Sequence, residues 1–187
     1  MKTVTYSINK LDVMHVAHPV GIASLSKNYD DYANHPEWFG GRDLNELKAL
    51  WLENAVSVAC FEVLKRDGLA LIQKNEDNFY TFADHEGDCF DPSVNSDISP
   101  EELKRQRKRE RARFNRQGVW YHTLVVLHEE RDSIGGFVGD DFYSSGHDTD
   151  FYNQAFDYLT GAGMANYVDE LLGRVKEALA ASASALF

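Results

Sequence analysis

Eight of the nineteen lysines and arginines in this chain lie between residues 104 and 116, in the stretch KRQRKRERARFNR. This segment has a formal charge of +7 and the rest of the chain −18, which together give the net charge of −11. Guanidinium groups bind phosphate in a bidentate way, and cations that neutralise nucleic-acid phosphates release counterions. The candidate nucleic-acid-binding residues are Lys104, Arg105, Arg107, Lys108, Arg109, Arg111, Arg113 and Arg116.

Phosphate is only one of three acidic partners that this segment could have. If the segment is helical, Arg105, Arg109 and Arg113 are spaced four residues apart and repel one another, so acidic groups are expected opposite them. The chain's own carboxylates, or those of another protein such as a second copy in a homodimer, would serve as well as phosphate. Phe114 is the only aromatic residue interleaved with the cations, whereas proteins that bind single strands use several stacking aromatics.

The segment DHEGDC, residues 84 to 89, gathers acidic side chains shortly before the basic stretch. Its spacing lacks the alternate ligands and the distant glutamate of a calcium-binding loop. A solvated acidic loop is therefore the favoured interpretation. The segment is also a ready intramolecular partner for the basic helix.

A second acidic segment, GDDFYSSGHDTD at 139 to 150, combines carboxylates with a histidine. Such groups can hold a divalent metal for phosphoryl chemistry. However, the nearest strand lysine, Lys74, has Ile72 where a metal-dependent nuclease would need a carboxylate. The metal-binding alternative rests on Asp140, Asp141, His147 and Asp148.

His122 and His128 fall on one face of a predicted strand that begins at 119. Zinc would need two further ligands, and a histidine in a sheet is usually structural. The chain also lacks a glycine-rich phosphate loop with its Lys-Ser/Thr pair and a recognisable nucleophile motif. We expect no cofactor, and the sequence favours a non-enzymatic role.

The bulk composition predicts an ordered protein with a single domain over residues 1–187. Hydrophobic residues make up 43% of the chain and aromatic residues 12%, which is enough to build a core. No apolar run approaches the roughly 20 residues that cross a bilayer, and the N-terminal sequence has no apolar signal segment. We expect a soluble, cytoplasmic protein with no membrane association. Two cysteines are too few for a disulfide scaffold.

Capping signals predict the helices that must position these side chains. Asp43 with Glu46 starts a helix over 43 to 67, and Ser99 followed by Pro100 starts a helix over 100 to 117. The basic segment therefore lies within a helix, with only Leu103 and Phe114 able to anchor it. Residues 149–187 are predicted as C-terminal helices with an interruption at Gly161 and Gly163, and residues 1–42 as mostly irregular apart from a short strand at 3 to 8.

Strand-like runs after each of the two capped helices predict hairpins. LALIQK and FYTFA flank the turn residues NEDN, and the strand from 119 is followed by a turn and by IGGFVG. These runs predict an α+β fold in which an antiparallel sheet of four or five strands packs against the helices.

The region 43–142 also suggests a duplicated α-β-β unit. The motifs at 66–68 and 87–90 are echoed at 116–118 and 139–142, with offsets of 50 and 52 residues. The alternative is coincidence, because glycine after a helix and Gly-Asp after a strand are common punctuation. Both interpretations stay open.

Over its whole length the chain resembles a small, uncharacterised family of Mu-like prophage proteins, through MKTVTYSINKLDV, EWFGGRDLNELKALWLEN and GGFVGDDFY. The resemblance implies an accessory role in a phage genome and transfers no catalytic residues. The hypothesis is therefore a phage-type accessory protein that binds nucleic acid through the helix at 104–116. The alternative is an acidic protein–protein interaction module whose basic helix serves dimerisation or intramolecular charge pairing.

Overall fold

A computed structural model describes residues 10–187, and the predicted strand at 3 to 8 lies outside them. The chain divides into two compact units. The first unit comprises the described residues up to Leu71 together with Val126–Glu129 and Thr149–Phe187. The second unit comprises Ile72–Val125 and Glu130–Asp148.

Three long helices pack against one another in the first unit: α1 (Lys10–Asn34), α2 (Leu44–Arg66) and α7 (Ala165–Leu186). Their contact buries large apolar side chains, among them Trp51, Leu64, Leu171 and Leu179. Gly21 of α1 lies close to α7, where a Cβ atom would be 2.6 Å from Leu179 Cδ1 and would force that side chain to shift. The core of this unit is therefore an apolar helical seam.

Helix α1 is the largest departure from the sequence prediction, which made residues 1–42 mostly irregular. The structure instead forms a helix from Lys10 to Asn34, followed by a 3-10 turn over Pro36–Phe39. Its buried positions include Ala17, Gly21 and Leu25, which are four residues apart as on one helix face. Because alanine and glycine carry little apolar signal, this periodicity is faint in the sequence.

The C-terminal helices are confirmed. Helix α6 (His147–Leu159) leads into α7 through a short kinked segment, Thr160–Met164. Gly163 has φ 86° within that segment, a left-handed conformation that favours glycine. The glycines thus interrupt the helix where the sequence predicts a break.

Within the described part of the chain, the sheet contains three antiparallel strands in the order β1 (Ala70–Glu76), β2 (Val119–Val126) and β3 (Glu129–Val138). The backbone N–H of Asp77 donates to the carbonyl of Val119 at 2.8 Å, and that of Gly139 donates to the carbonyl of Gly118 at 3.1 Å. Three short or medium helices accompany the strands: α3 (Phe82–Glu86), α4 (Pro100–Gln117) and α5 (Asp141–Ser144). The α+β class is confirmed.

The predicted four or five strands are not confirmed, because the described residues form three. The run FYTFA does not pair as a strand. Asp77 Oδ1 instead accepts from the backbone N–H groups of Phe79 and Tyr80, and Thr81 caps α3 in a capping box with Asp84. The first half of the 43–142 region therefore has the order helix, strand, helix, and the duplicated α-β-β unit is not confirmed.

The β2–β3 turn has an unusual backbone. Leu127 has φ 52° and His128 has φ 67°, and both are left-handed residues with full side chains. Two-residue hairpin turns with positive φ at both positions usually carry Asn-Gly or similar pairs. The backbone N–H of Leu127 donates to the carbonyl of Leu69 at 2.9 Å, a bond within the first unit.

None of the described helices is both long and apolar enough to cross a membrane.

Candidate nucleic-acid interface

Helix α4 carries the basic segment, and capping residues define both of its ends. The Ser99 hydroxyl oxygen accepts from the backbone N–H of Glu102 at 3.2 Å, and Pro100 opens the helix. Gly118 ends it with φ 71°. Leu103 is the only buried residue among its 18 residues, so nearly the whole helix displays polar groups.

An aromatic contact anchors α4 on the side that the sequence predicts. The Phe114 ring meets the Phe82 ring of α3 edge-on, with centroids 5.5 Å apart, and lies equally close to His85. Together with Leu103 this contact turns one narrow face of the helix inward. The cations occupy the rest of the circumference.

One of the cations is paired with the acidic segment at 84–89. Arg107 donates from Nε and from a terminal nitrogen to the two carboxylate oxygens of Glu86, at 2.6 and 2.8 Å. These hydrogen bonds hold the pKa of the Glu86 carboxyl below its usual value. The predicted intramolecular pairing of this acidic segment with the basic helix is confirmed at Arg107.

Glu110 is the one acid within the basic stretch, and its contacts point inward. It lies 2.8 Å from His85 Nε2 and accepts from Arg113 at 2.8 Å. Partial burial opposes its ionisation, but the hydrogen bonds from His85 and Arg113 still lower its pKa. The carboxylate therefore stays charged and ties α3 to α4.

Arg113 is the most fully engaged cation of the helix. Besides Glu110, its guanidinium contacts the Asp141 carboxylate and lies 3.4 Å from the carbonyl oxygen of Val138. The hydrogen bond to Asp141 is the main reason that the pKa of Arg113 is raised. This arginine links α4 to the end of β3 and to α5.

The remaining cations form an exposed surface, which we call the outward cations: Lys104, Arg105, Lys108, Arg109, Arg111 and Arg116. Lys104, Lys108 and Arg116 make no ion pair or hydrogen bond with any other described residue. Lys104 and Lys108 are one helical turn apart and therefore lie on the same side of the helix. The outward cations are thus available to an external anion.

Three of the outward cations have weak contacts within the second unit. Arg105 and Arg109 share the carboxylate of Glu102, at 2.7 and 3.2 Å, and their side chains are 72% and 73% exposed. The guanidinium of Arg111 lies 4.8 Å above the Phe82 ring. Exposed ion pairs contribute little stability and exchange readily with other anions.

The four predicted metal ligands do not come together. Asp140 accepts from Lys74 Nζ at 2.9 Å, Asp141 contacts Arg113, and the His147 ring packs 5.1 Å from the Phe137 ring, with Asp148 next to it at the start of α6. Among the residues that the structure describes, no three His, Cys, Asp or Glu side chains form a group that could hold a metal ion. The two carboxylates are used as partners of cations.

The two histidines do not lie on one strand face as predicted, because β2 ends at Val126 and His128 lies beyond it. His128 lies in the exposed turn, whereas His122 is fully buried and stacks on Phe142 with ring centroids 4.0 Å apart. Neither ring nitrogen of His122 has a hydrogen-bond partner among residues 10–187. Burial, with some repulsion from Lys74, lowers the pKa of His122 to about 4. A structural histidine is the interpretation that the sequence favours.

The contacts of two residues beside α4 were missed by sequence reasoning. Lys74 Nζ lies 4.7 Å above the Trp120 ring, and the indole Nε1 donates to the carbonyl of Gln117 at 3.0 Å. Trp120 follows the end of the helix in the sequence, which is a weak local signal. Lys74 has none, because its ionic partner Asp140 is 66 residues away along the chain.

Comparisons with protein-family models, with curated proteins and with solved structures found no match to this chain. The side chains of the second unit are therefore the basis for assigning a function.

Proposed function

We propose that this protein is a phage-type accessory protein that binds nucleic acid through the outward cations of α4. The observation that carries the proposal is the division of the basic residues. Arg107 and Arg113 satisfy carboxylates of the second unit, whereas Lys104, Lys108 and Arg116 are exposed and have no partner among the described residues. Internal charge pairing therefore accounts for only part of the basic segment.

The outward cations suit a phosphate backbone better than a single anion. They are spread along almost the whole length of α4, whose residues rise about 1.5 Å each. Arg105 and Arg109 can exchange their shared, exposed Glu102 for phosphate at little cost. Several phosphates in a row would be contacted without any base being read, so we expect binding with little sequence preference.

The charge of the remaining chain limits where nucleic acid can bind. Outside residues 104–116 the formal charge is −18, which repels phosphate over a Debye length of roughly 8 Å at physiological salt. Contact should therefore be confined to α4 and should weaken steeply as salt is added.

The test is the salt dependence of binding to a short fluorescent DNA duplex, followed by anisotropy. For a variant that combines Lys104→Ala, Lys108→Ala and Arg116→Ala, we expect the slope of log K against log salt to become shallower by about 2 to 3. The matched control combines Lys27→Ala, Arg42→Ala and Lys65→Ala. It removes the same charge from exposed sites of the first unit and should leave the slope unchanged.

Absence of binding at low salt, or an unchanged slope in the α4 variant, would contradict the proposal. A sedimentation measurement tests the alternative that the basic helix serves dimerisation. If the parent chain is a dimer, fails to bind nucleic acid and becomes monomeric in the α4 variant, the outward cations serve dimerisation instead.

A further inference from the structure

A polar cavity of about 380 Å³ lies in the second unit beside the C-terminal end of α4. Its volume is within the range of about 300–1,000 Å³ that is typical of small-ligand pockets. The residues that matter for its chemistry are Lys74, Arg113, Gln117, Trp120, Asp140 and Asp141.

Trp120 gives the cavity a fixed aromatic wall. Its Nε1 donates to the carbonyl of Gln117, and Lys74 Nζ lies 4.7 Å above its ring. The indole is therefore held in place before any ligand arrives. A pre-organised aromatic surface is the usual platform on which unpaired nucleobases stack, and a base would use the ring face opposite Lys74.

The polar groups of the cavity are balanced in charge. Lys74 pairs with Asp140 and Arg113 pairs with Asp141, so hydrogen-bond donors and acceptors stand side by side. Such a lining has no excess charge that would select an isolated phosphate or a metal ion. It does match the edge of a nucleobase, which presents donors and acceptors together.

The cavity is continuous with the proposed phosphate-binding helix. Arg113 and Gln117 line it from α4, and the outward cation Arg116 lies between them in the sequence. A chain whose phosphates follow the outward cations would reach the cavity at the helix end. This arrangement supplies an aromatic group for stacking, because Phe114 within the basic segment already packs against Phe82.

We infer that the cavity accepts one unpaired base of a single-stranded nucleic acid whose backbone lies along α4. The inference rests on the proposed function and specifies its ligand. A base in a duplex is stacked and paired, whereas a base in a single strand can be turned out into a pocket. The cavity therefore favours single strands over duplex of the same length and charge.

The test compares a short oligothymidylate with an oligomer of the same length that is entirely abasic, so that both carry the same phosphates. Anisotropy should show that the intact oligomer binds about ten-fold more tightly, which is typical of stacking by one base. Trp120→Leu should remove that difference and leave the affinity for the abasic oligomer unchanged. Trp38→Leu, which alters an exposed tryptophan of the first unit, is the matched control and should keep the difference.

A second variant keeps the test decisive if Trp120→Leu does not fold, as judged by circular dichroism. Gln117→Ala changes an exposed residue at the helix end and should reduce the base-dependent gain without affecting the abasic oligomer.

The failures of the two proposals can be distinguished. Equal binding of intact and abasic oligomers, with a salt slope that still depends on Lys104, Lys108 and Arg116, would overturn the base pocket alone. No binding of either oligomer would overturn both proposals. If thymidine monophosphate binds as tightly as the oligomer, the occupant is a free nucleotide and the single-strand inference is wrong.

Discussion

The first unit buries large apolar side chains from three long helices, whereas the second unit closes around a smaller core that includes a histidine. In the first, residues such as Leu64, Leu171 and Leu179 are wholly buried. In the second, Phe142 and Leu124 share the interior with His122, and ion pairs join the elements around them. Stability in the first unit comes mainly from apolar burial, while the second relies more on polar contacts.

Helices α2 and α4 show the same difference on a smaller scale. Each begins with a side-chain cap, Asp43 in α2 and Ser99 in α4. Nine residues of α2 are buried but only Leu103 of α4. Capping therefore determines where a helix begins, whereas the pattern of apolar residues determines whether it becomes core or surface.

The largest expected effect tests how much the small core of the second unit contributes to the free energy of unfolding. Phe142→Ala should lower the free energy of unfolding by about 3–5 kcal/mol, because it leaves a cavity and removes the stacking partner of His122. Urea unfolding followed by circular dichroism measures the change. Phe79→Ala, at a side chain that is 94% exposed, should stay within about 0.5 kcal/mol of the parent. A similarly small effect of Phe142→Ala would mean that this core contributes little.

The next prediction concerns pH and isolates the buried histidine. His122 stays neutral in the folded protein down to about pH 4, whereas an unfolded histidine takes up a proton near pH 6.5. Between these values the unfolded state binds more protons, so the free energy of unfolding falls as the pH decreases. The full loss is about 3 kcal/mol. Urea midpoints measured from pH 7 down to pH 4 should reveal it.

His122→Phe is the control for this pH dependence. It keeps an aromatic ring against Phe142 and removes two buried nitrogens that lack partners, so the variant should be at least as stable at pH 7. Its urea midpoint should be nearly flat between pH 6.5 and 5. Carboxylates with lowered pKa, such as Glu86 and Glu110, lose their contribution only as the pH falls below about 4.5. A variant that is as pH-dependent as the parent would assign the effect to other groups.

The smallest expected effect on stability distinguishes Arg113, which is paired with carboxylates of the second unit, from the outward cations of α4. Arg113→Ala should lower the free energy of unfolding by about 1–2 kcal/mol, because the carboxylates of Glu110 and Asp141 lose their guanidinium partner. Arg105→Ala removes one exposed pair and should cost less than about 0.5 kcal/mol. Thermal unfolding of the two variants at low salt gives the comparison. Equal costs would show that the two groups of cations do not differ in structural role.

The features that sequence predicts well are those that depend on neighbouring residues. The caps at Asp43 and Ser99, the glycine break near Gly163 and the inward seam of Leu103 and Phe114 all arise within a few residues of chain. The pairing of the 84–89 segment with the basic helix follows from opposite charge at short separation along the chain.

Features that depend on distant or weakly apolar residues are not predictable in this way. Helix α1 buries Ala17 and Gly21, which give almost no hydrophobic signal. The stretch after Asp77 has strand-like composition. However, the Asp77 carboxylate accepts hydrogen bonds from the backbone of Phe79 and Tyr80, and the chain turns into α3 instead of forming a strand. The cavity beside α4 depends on Lys74, whose partners are brought near only by the sheet.

The Leu127–His128 turn has a consequence for the order of folding. Both residues adopt a conformation that costs a non-glycine residue of the order of 1 kcal/mol, so the turn is a poor nucleus for its own hairpin. The bond from Leu127 to the Leu69 carbonyl helps to offset that cost, and it joins segments that are far apart in the chain. We therefore expect the β2–β3 hairpin to close after the residues around Leu69 are in place, because contacts between distant segments form more slowly than local ones.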